Sequence, residues 1–172
     1  NLELGEVLGL LIGVGWRLDK PGEERVGFVF SQEDKQVLAR LKPIINQFYG
    51  HDIKEIKRSN GVLHLSYGRP LVEFFKSLGV LPVCADEKRV PTSIFTSPRE
   101  AVIGFLQGLF TSDGTVRDNP KSNSAWIALT AKNRKLLQDV QLLLLNLGIK
   151  SQIFNRSRKP RENMFPYVTK AG

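Results

Sequence analysis

Few side chains of this sequence could carry out catalysis, and one acid stands out among them. Asp113 closes the segment FLQGLFTSDG (residues 105–114), directly before a glycine. A carboxylate at the end of a helix faces the negative end of the helix dipole, and a bound divalent cation relieves that repulsion. The alternative is an ordinary Asp-Gly turn. One cysteine and two histidines exclude a standard zinc site.

The context of Asp113 is repeated in the first part of the chain. Residues 6–15, EVLGLLIGVG, align with residues 105–114 at an offset of 99, and Val14 then meets Asp113. Other aligned pairs are Gly9 and Gly108, Gly15 and Gly114, Phe28 and Ile127, Ser31 and Thr130, and Lys35 and Arg134. The offset holds without a gap over about 40 residues. We interpret the chain as a tandem duplication whose first copy lacks the acid.

Two helices are predicted to position these residues. The apolar stretch from about Leu2 to Gly13 predicts a buried helix, and a capping box at 97–100, SPRE, predicts the start of its counterpart. Small residues recur at every fourth position: Gly5, Gly9 and Gly13 in the first helix, and Gly104, Gly108 and Ser112 in the second. Because this spacing lines one helical face, we predict that the two helices pack closely. We expect Gly15 and Gly114 to end them in the left-handed conformation.

The elements after each helix follow the same order in both copies. Alternation predicts strands at 26–30 and 125–129, and amphipathic helices follow near 33–48 and 132–147. Ser31 or Gln32 would cap the first of these helices, and Thr130 would cap the second. Pro43 should kink the first helix. In the first copy, a hairpin of 53–58 and 62–67 and a helix at 71–78 come next.

These elements predict a single α+β domain over residues 1–172. Its first half covers about 2–80, a connector covers about 80–97, and the second half covers about 98–172. At the constant offset, the last helix of the second half falls beyond residue 172. We therefore expect the second half to be incomplete at its C-terminus and the chain to be a segment of a longer protein.

Composition limits the partners and the compartment. A net charge of +8 and a pI near 9.8 accompany 41% hydrophobic residues, so we expect a folded basic protein with a polyanionic partner. The alternative is a basic surface without a ligand. The single Cys84 excludes an internal disulfide and fits a reducing compartment. The apolar run 8–14 is too short to span a bilayer, so a cytoplasmic protein without membrane contact is expected.

The two motifs GLLIGVG and GLFTSDG resemble those of the LAGLIDADG homing endonucleases, in particular the two-motif type embedded in inteins. Two flanking blocks add to the resemblance. Residues 88–91, KRVP, look like the block before the second motif, and residues 139–151, DVQLLLLNLGIKS, look like the block after it. The resemblance covers about residues 4–160.

The resemblance implies two pseudo-twofold-related αββαββα halves that form a DNA-binding saddle around two packed LAGLIDADG helices. It implies a monomer whose sheets lie in the major groove of a long, asymmetric duplex site. It also implies phosphodiester hydrolysis with Mg²⁺, or Mn²⁺, held by the last acid of each motif. The further partner would be the splicing domain of the parent intein.

This chain departs from the family's pattern at one catalytic position. The resemblance makes Asp113 a catalytic residue and metal ligand, and makes Lys88 the basic residue near the cleaved phosphate. Val14 stands at the position of the other acid, and an isopropyl group cannot ligate a metal. We therefore expect double-strand cleavage to be lost or reduced and metal binding to be weakened. The alternative function is a repurposed binding module, either an RNA-splicing maturase or a DNA-binding regulator.

Basic and polar residues of the hairpins and the C-terminal region are the candidates for DNA contact. His64 alternates with Leu63 and Leu65, so we expect it to face away from the core. The full set of predicted DNA contacts is Lys57, Arg58, His64, Ser66, Arg117, Lys121, Arg156, Arg158 and Lys159.

Overall fold

The computed structural model describes residues 1–18, 20–58, 61–81, 83, 86–120 and 123–155, with the backbone alone at 17 and 18. The helices are α1 (Leu2–Val14), α2 (Lys35–Tyr49), α3 (Arg69–Ser77), α4 (Thr92–Phe95), α5 (Arg99–Asp113) and α6 (Arg134–Asn146). The strands are β1 (Gly15–Leu18), β2 (Arg25–Phe30), β3 (Ile56–Lys57), β4 (Leu63–Tyr67), β5 (Gly114–Asn119) and β6 (Ser124–Leu129). Within these residues, no helix is long and apolar enough to cross a membrane.

The order of elements repeats along the chain. The run helix, strand, strand, helix formed by α1, β1, β2 and α2 returns as α5, β5, β6 and α6. Strand β6 starts and ends 99 positions after β2, which is the offset between the two sequence motifs. The two runs therefore use equivalent residues for equivalent elements.

The close packing predicted for the two motif helices is confirmed. Gly5 lies against the backbone of Ala101, and Gly9 lies against the backbone of Phe105. A Cβ added at either glycine would overlap a carbonyl oxygen of the other helix. Successive residues of α1 face successive residues of α5, so the two helices run in the same direction and end side by side. This places their last residues at a common foot.

Two predictions about the ends of these helices were wrong. Gly15 and Gly114 are extended, with φ of −76° and −81°, because each helix passes directly into a strand. Glycine is needed there for space: a Cβ would overlap the carbonyl oxygen of Leu11 or of Phe110. At the start of α5, the residue before the first turn is Pro98, and no side chain caps the helix, so the predicted capping box does not form. The Ser97 hydroxyl donates instead to the carbonyl of Ser93 at 2.7 Å.

The long amphipathic helices also begin differently from prediction. Asp34, rather than Ser31 or Gln32, precedes α2, and its carboxylate accepts hydrogen bonds from the Ser31 amide and hydroxyl at 2.9 and 2.7 Å. Asn133, rather than Thr130, caps α6 by accepting from the amide of Lys135 at 2.9 Å. Pro43 lies inside α2 as predicted.

The first half forms a four-stranded antiparallel sheet in the order β1-β2-β4-β3. One face of the sheet is buried, through Val26, Phe28, Phe30, Leu65 and Tyr67. Helices α2 and α3 add Leu38, Leu41, Ile45, Leu71, Val72 and Phe75 to the same core. The hairpin that includes β3 and β4 confirms the prediction for 53–67.

The second half shows two strands, β5 and β6, among the described residues. At the offset of 99, the counterparts of β3 and β4 fall at 155–166, of which only residue 155 is described. The face that corresponds to the buried face of the first sheet carries Val116 and Ile127, which are 75% and 68% exposed. Within the described part of the chain, nothing covers this face as α3 covers its counterpart.

Candidate active site at the foot of the central helices

The two catalytic positions predicted from the motifs lie at the common foot of α1 and α5. Val14 is the last residue of α1, and Asp113 is the last residue of α5. The carboxylate of Asp113 leans towards α1, since a Cβ added at Gly13 would lie 3.4 Å from its Oδ2. The half-buried Val14 packs against the hydrophobic core. The last residues of the two motif helices therefore supply one carboxylate where a symmetric pair of motifs would supply two.

The surroundings of Asp113 oppose its ionised form. Burial raises the pKa of this carboxyl, and the positive charge of Lys88 acts in the opposite direction. The negative end of α5 adds to the repulsion because Asp113 is its last residue. A divalent cation is the kind of ligand that would remove this penalty.

Lys88 enters the site from the connector between the halves. Its Nζ donates to the carbonyl oxygens of Ile12, Gly13 and Gly15 at 2.7, 3.1 and 3.2 Å. An ammonium has three N–H donors, and these three acceptors use all of them. Burial lowers the pKa of Lys88, while the nearby Asp113 works against that shift. The ammonium thus neutralises the carbonyl end of α1 and lies within the electrostatic reach of Asp113.

The backbone around Lys88 is held by the other half of the molecule. The side-chain amide of Asn133 donates to the carbonyl of Lys88 at 2.7 Å. The guanidinium of Arg89 binds both carboxylate oxygens of Asp139 on α6, at 2.6 and 2.8 Å. The amide of Val90 donates to the same carboxylate at 3.4 Å. Lys88 is therefore anchored to the second half while its ammonium caps the central helix of the first half.

The donor atoms at the foot suit a metal on one side only. The Asp113 carboxylate fits Mg²⁺ or Mn²⁺, which commonly bind through one or two carboxylates and complete their shells with water and substrate phosphates. At the other motif position, the side chain of Val14 offers no oxygen, and the ammonium of Lys88 already occupies the carbonyls at the end of α1. Among the described residues, no cluster of three histidine, cysteine or acidic side chains forms a further metal site.

The predicted DNA contacts are distributed over both halves. His64 and Ser66 lie on the face of the first sheet opposite its core, where they are half-buried, and His64 is in register with Ile56. Lys57 is exposed but pairs with Leu63, so it projects from the other face. Arg58 follows β3 and is exposed. In the second half, Arg117 is exposed on β5, in register with Trp126. Predictions for Lys121, Arg156, Arg158 and Lys159 lie outside the described residues.

Sequence reasoning missed the residues that support the site. Asn133 and Asp139 were visible only as a polar residue near a helix start and an acid in a motif block. A useful signal for Asp139 was its place on the apolar face of α6, because a buried acid requires a partner. Trp126 was also missed, although its alternation with Ala125 and Ile127 puts it on the face of β6 opposite the apolar one.

Comparison with known proteins identifies the family. Residues 100–172 match the family described as LAGLIDADG-like domain. The chain contains a LAGLIDADG-like domain. The recognition from the two motifs is therefore confirmed.

Curated relatives of this LAGLIDADG-like chain are much longer proteins. It is 40% identical over 177 residues to the ribonucleoside-diphosphate reductase NrdEB subunit alpha of Bacillus subtilis, covering 93% of this chain and 16% of the reductase. It is 31% identical over 165 residues to a DNA polymerase of Thermococcus sp., covering 91% of this chain and 9% of the polymerase. The chain thus spans about a sixth and about a tenth of their lengths.

The LAGLIDADG-like chain also has the fold of a solved homing endonuclease. A variant of I-DmoI, crystallised in complex with its target DNA in the presence of manganese, superposes with a TM-score of 0.66 and 22% identity. The match covers 91% of this chain and 81% of the I-DmoI chain. The predicted α+β class, with antiparallel sheets beside the two packed motif helices, is confirmed.

Proposed function

We propose that this chain is the homing endonuclease segment of an intein and binds a long, asymmetric site in duplex DNA. The observation that carries the proposal is the foot of α1 and α5, where Asp113 ends one motif helix beside Lys88. The net charge of +8 supports a DNA partner. I-DmoI, which has the same fold, was crystallised with its target DNA. Because one chain supplies both central helices, it would act as a monomer with two unlike halves, about 2–80 and 98–172.

The intein context rests on the two curated relatives. A ribonucleotide reductase and a DNA polymerase catalyse different reactions, yet this chain matches a small part of each over nearly its whole length. A segment inserted into unrelated host proteins explains such a distribution. In that setting, the partner of the endonuclease segment would be the splicing domain that flanks it in the parent chain.

The two halves would contribute unequally to hydrolysis. Bound Mg²⁺ or Mn²⁺ would polarise a phosphate and activate a water, and Asp113 would hold it beside one strand. Val14 offers no ligand for the other strand, so cleavage of both strands would be lost or strongly reduced. Lys88 would contribute positive charge near the phosphate. Its three N–H donors are already bound by carbonyl oxygens, so it would act through its field and by fixing the end of α1.

The second candidate is a repurposed LAGLIDADG binding module, either an RNA-splicing maturase or a DNA-binding regulator. The loss of the acid at Val14 favours it, since a protein that only binds has no use for a second metal ligand. Both candidates predict nucleic-acid binding, but they differ in the preferred nucleic acid and in cleavage.

Selection of bound duplexes from a random DNA pool tests the first candidate. We expect enrichment of one long site without twofold symmetry, because the two sheets differ in their exposed residues. A folded RNA bound in preference to every selected duplex would favour the maturase. Failure to enrich any duplex would contradict the proposal that this segment is a DNA endonuclease.

A further inference from the structure

The hairpin of β5 and β6 has two faces of different character. Its register pairs Thr115 with Ala128, Arg117 with Trp126, and Asn119 with Ser124 on one face. Asp118 is the acidic residue of β5 and β6. It lies in register with Ala125 on the opposite face, which is the face of Val116 and Ile127. The face that bears Trp126 therefore combines polar side chains, one cation and an indole, and has no carboxylate to repel a phosphate.

The two tryptophans of the chain lie on different strands of the two corresponding hairpins, Trp16 on β1 and Trp126 on β6. In the first half, Trp16 pairs with Gly27, and its ring lies so close over that glycine that a Cβ there would collide with it. The indole nitrogen of Trp16 is buried. At the offset of 99, Trp16 corresponds to Thr115 and Gly27 corresponds to Trp126. In the second half, the tryptophan therefore lies on the other strand of the hairpin. Trp126 is 44% exposed, whereas the ring of Trp16 packs over Gly27.

Among the described residues, β5 and β6 form a two-stranded ribbon. An exposed indole beside an arginine on such a ribbon fits one kind of occupant. The major groove of B-DNA admits a two-stranded β-ribbon, and it displays the methyl group of thymine next to base edges that accept hydrogen bonds. A flat apolar ring on the ribbon can bury that methyl group, while the neighbouring cation faces phosphate or guanine. The next cross-strand pair on the same face, Thr115 and Ala128, consists of small residues.

We propose that Trp126 is a specificity-determining residue of the second half, which recognises a thymine through its 5-methyl group from the open face of β5 and β6. This inference rests on the proposed binding of duplex DNA and adds the residue and the base that it reads. Burial of one methyl group corresponds to about 0.8 kcal/mol. Loss of that methyl group should therefore weaken binding about fourfold.

Intrinsic fluorescence provides the first test because the chain has two tryptophans. In Trp16→Phe, all tryptophan emission comes from position 126. We expect this emission to change on titration with the selected duplex and to become protected from acrylamide quenching. Binding is followed separately by the anisotropy of a dye on the DNA. Anisotropy that saturates while the emission stays unchanged would overturn the role of Trp126 and leave DNA binding intact. No change in either signal would overturn both.

Replacement of single thymines by deoxyuridine provides the second test, since it removes one methyl group at a time. We expect one or two positions at which the wild-type chain binds about fourfold more weakly, and we expect this loss to vanish in Trp126→Ala. The matched control is Ile127→Ala, which removes an even more exposed side chain, 68% accessible, from the opposite face. Ile127→Ala should keep the wild-type pattern. A pattern that persists in Trp126→Ala, or disappears in Ile127→Ala, would contradict the assignment.

Discussion

A methyl group added at Gly9 should separate the two central helices. A Cβ at this position would overlap the carbonyl oxygen of Phe105 and would lie 2.7 Å from the amide nitrogen of Leu109. Both obstacles are backbone atoms of α5, so no rotation of a side chain can make room. To bring this Cβ from 2.0 Å to an ordinary contact of 3.4 Å, α1 would have to move back by about 1.4 Å.

The expected effect of Gly9→Ala is the balance of two terms. Alanine is favoured over glycine inside a helix by about 1 kcal/mol, so propensity alone predicts a more stable protein. Overpacking costs about 1–3 kcal/mol. In addition, a gap of about 1 Å forfeits up to half of the dispersion energy of each contact along the interface. Since α1 and α5 form the centre of the core, we expect a net loss of about 2 kcal/mol or more.

Gly13→Ala is the matched control at the same interface. Its Cβ would meet the hydroxyl of Ser112 and lie 2.6 Å from the Cβ of that residue, both of which belong to a side chain. Equilibrium urea unfolding, followed by far-UV circular dichroism, gives the stabilities. We expect Ser112→Gly to restore part of the stability of Gly13→Ala, whereas it should not rescue Gly9→Ala. A Gly9→Ala protein as stable as the wild type would refute the close approach of the two backbones.

Substitutions test three further features of the structure. Burial raises the pKa of the Tyr67 hydroxyl in the folded protein. The neutral phenol therefore stabilises the fold at neutral pH, and this stabilisation is lost as pH rises above about 10, where the unfolded chain ionises. Urea midpoints should show this loss in the wild type and not in Tyr67→Phe. Glu6 is 3% exposed and forms an ion pair with Arg40. Glu6→Gln should lower the free energy of unfolding by about 1–3 kcal/mol, whereas the double variant Glu6→Leu with Arg40→Leu should change it less. Thermal unfolding measures both effects. Asp139→Asn removes the carboxylate that holds the connector, so acylation of Lys88, measured by mass spectrometry, should become faster. Equal rates would contradict the anchoring.

The long helices and the second strand of each half could be predicted because their signals are local, whereas the short α4 lies in the stretch predicted as a connector. Apolar periodicity located α1, α5, α2 and α6, and the four-residue spacing of small residues gave the contact between the first two. Strands β1 and β5 were implied only by the αββαββα resemblance and were not located by periodicity, since the glycine that begins each was interpreted as a helix cap. Position 15 requires glycine because Leu11 leaves no room for a Cβ. This crowding depends on the folded helix and cannot be recognised in the sequence.

The candidate site could be predicted in part. The motifs identified Asp113, Lys88 and Val14, but they did not show which contacts hold Lys88 in place. The contacts of Lys88 with Ile12 and Asn133 join residues that are 76 and 45 positions apart. Such contacts depend on the packing of the two halves and leave no local pattern. For the same reason, the difference between the half-buried Trp16 and the exposed Trp126 follows from strand register rather than from composition.

Strand-resolved cleavage of the selected duplex tests the unequal foot most directly. Each strand carries its own label, and the wild type, Val14→Asp and Asp113→Asn are compared with Mg²⁺ and with Mn²⁺. We expect the wild type to cut at most one strand, Val14→Asp to cut both, and Asp113→Asn to cut neither. Cleavage of both strands by the wild type, or any metal-dependent cleavage by Asp113→Asn, would contradict the assignment of Asp113 as the single metal-binding acid.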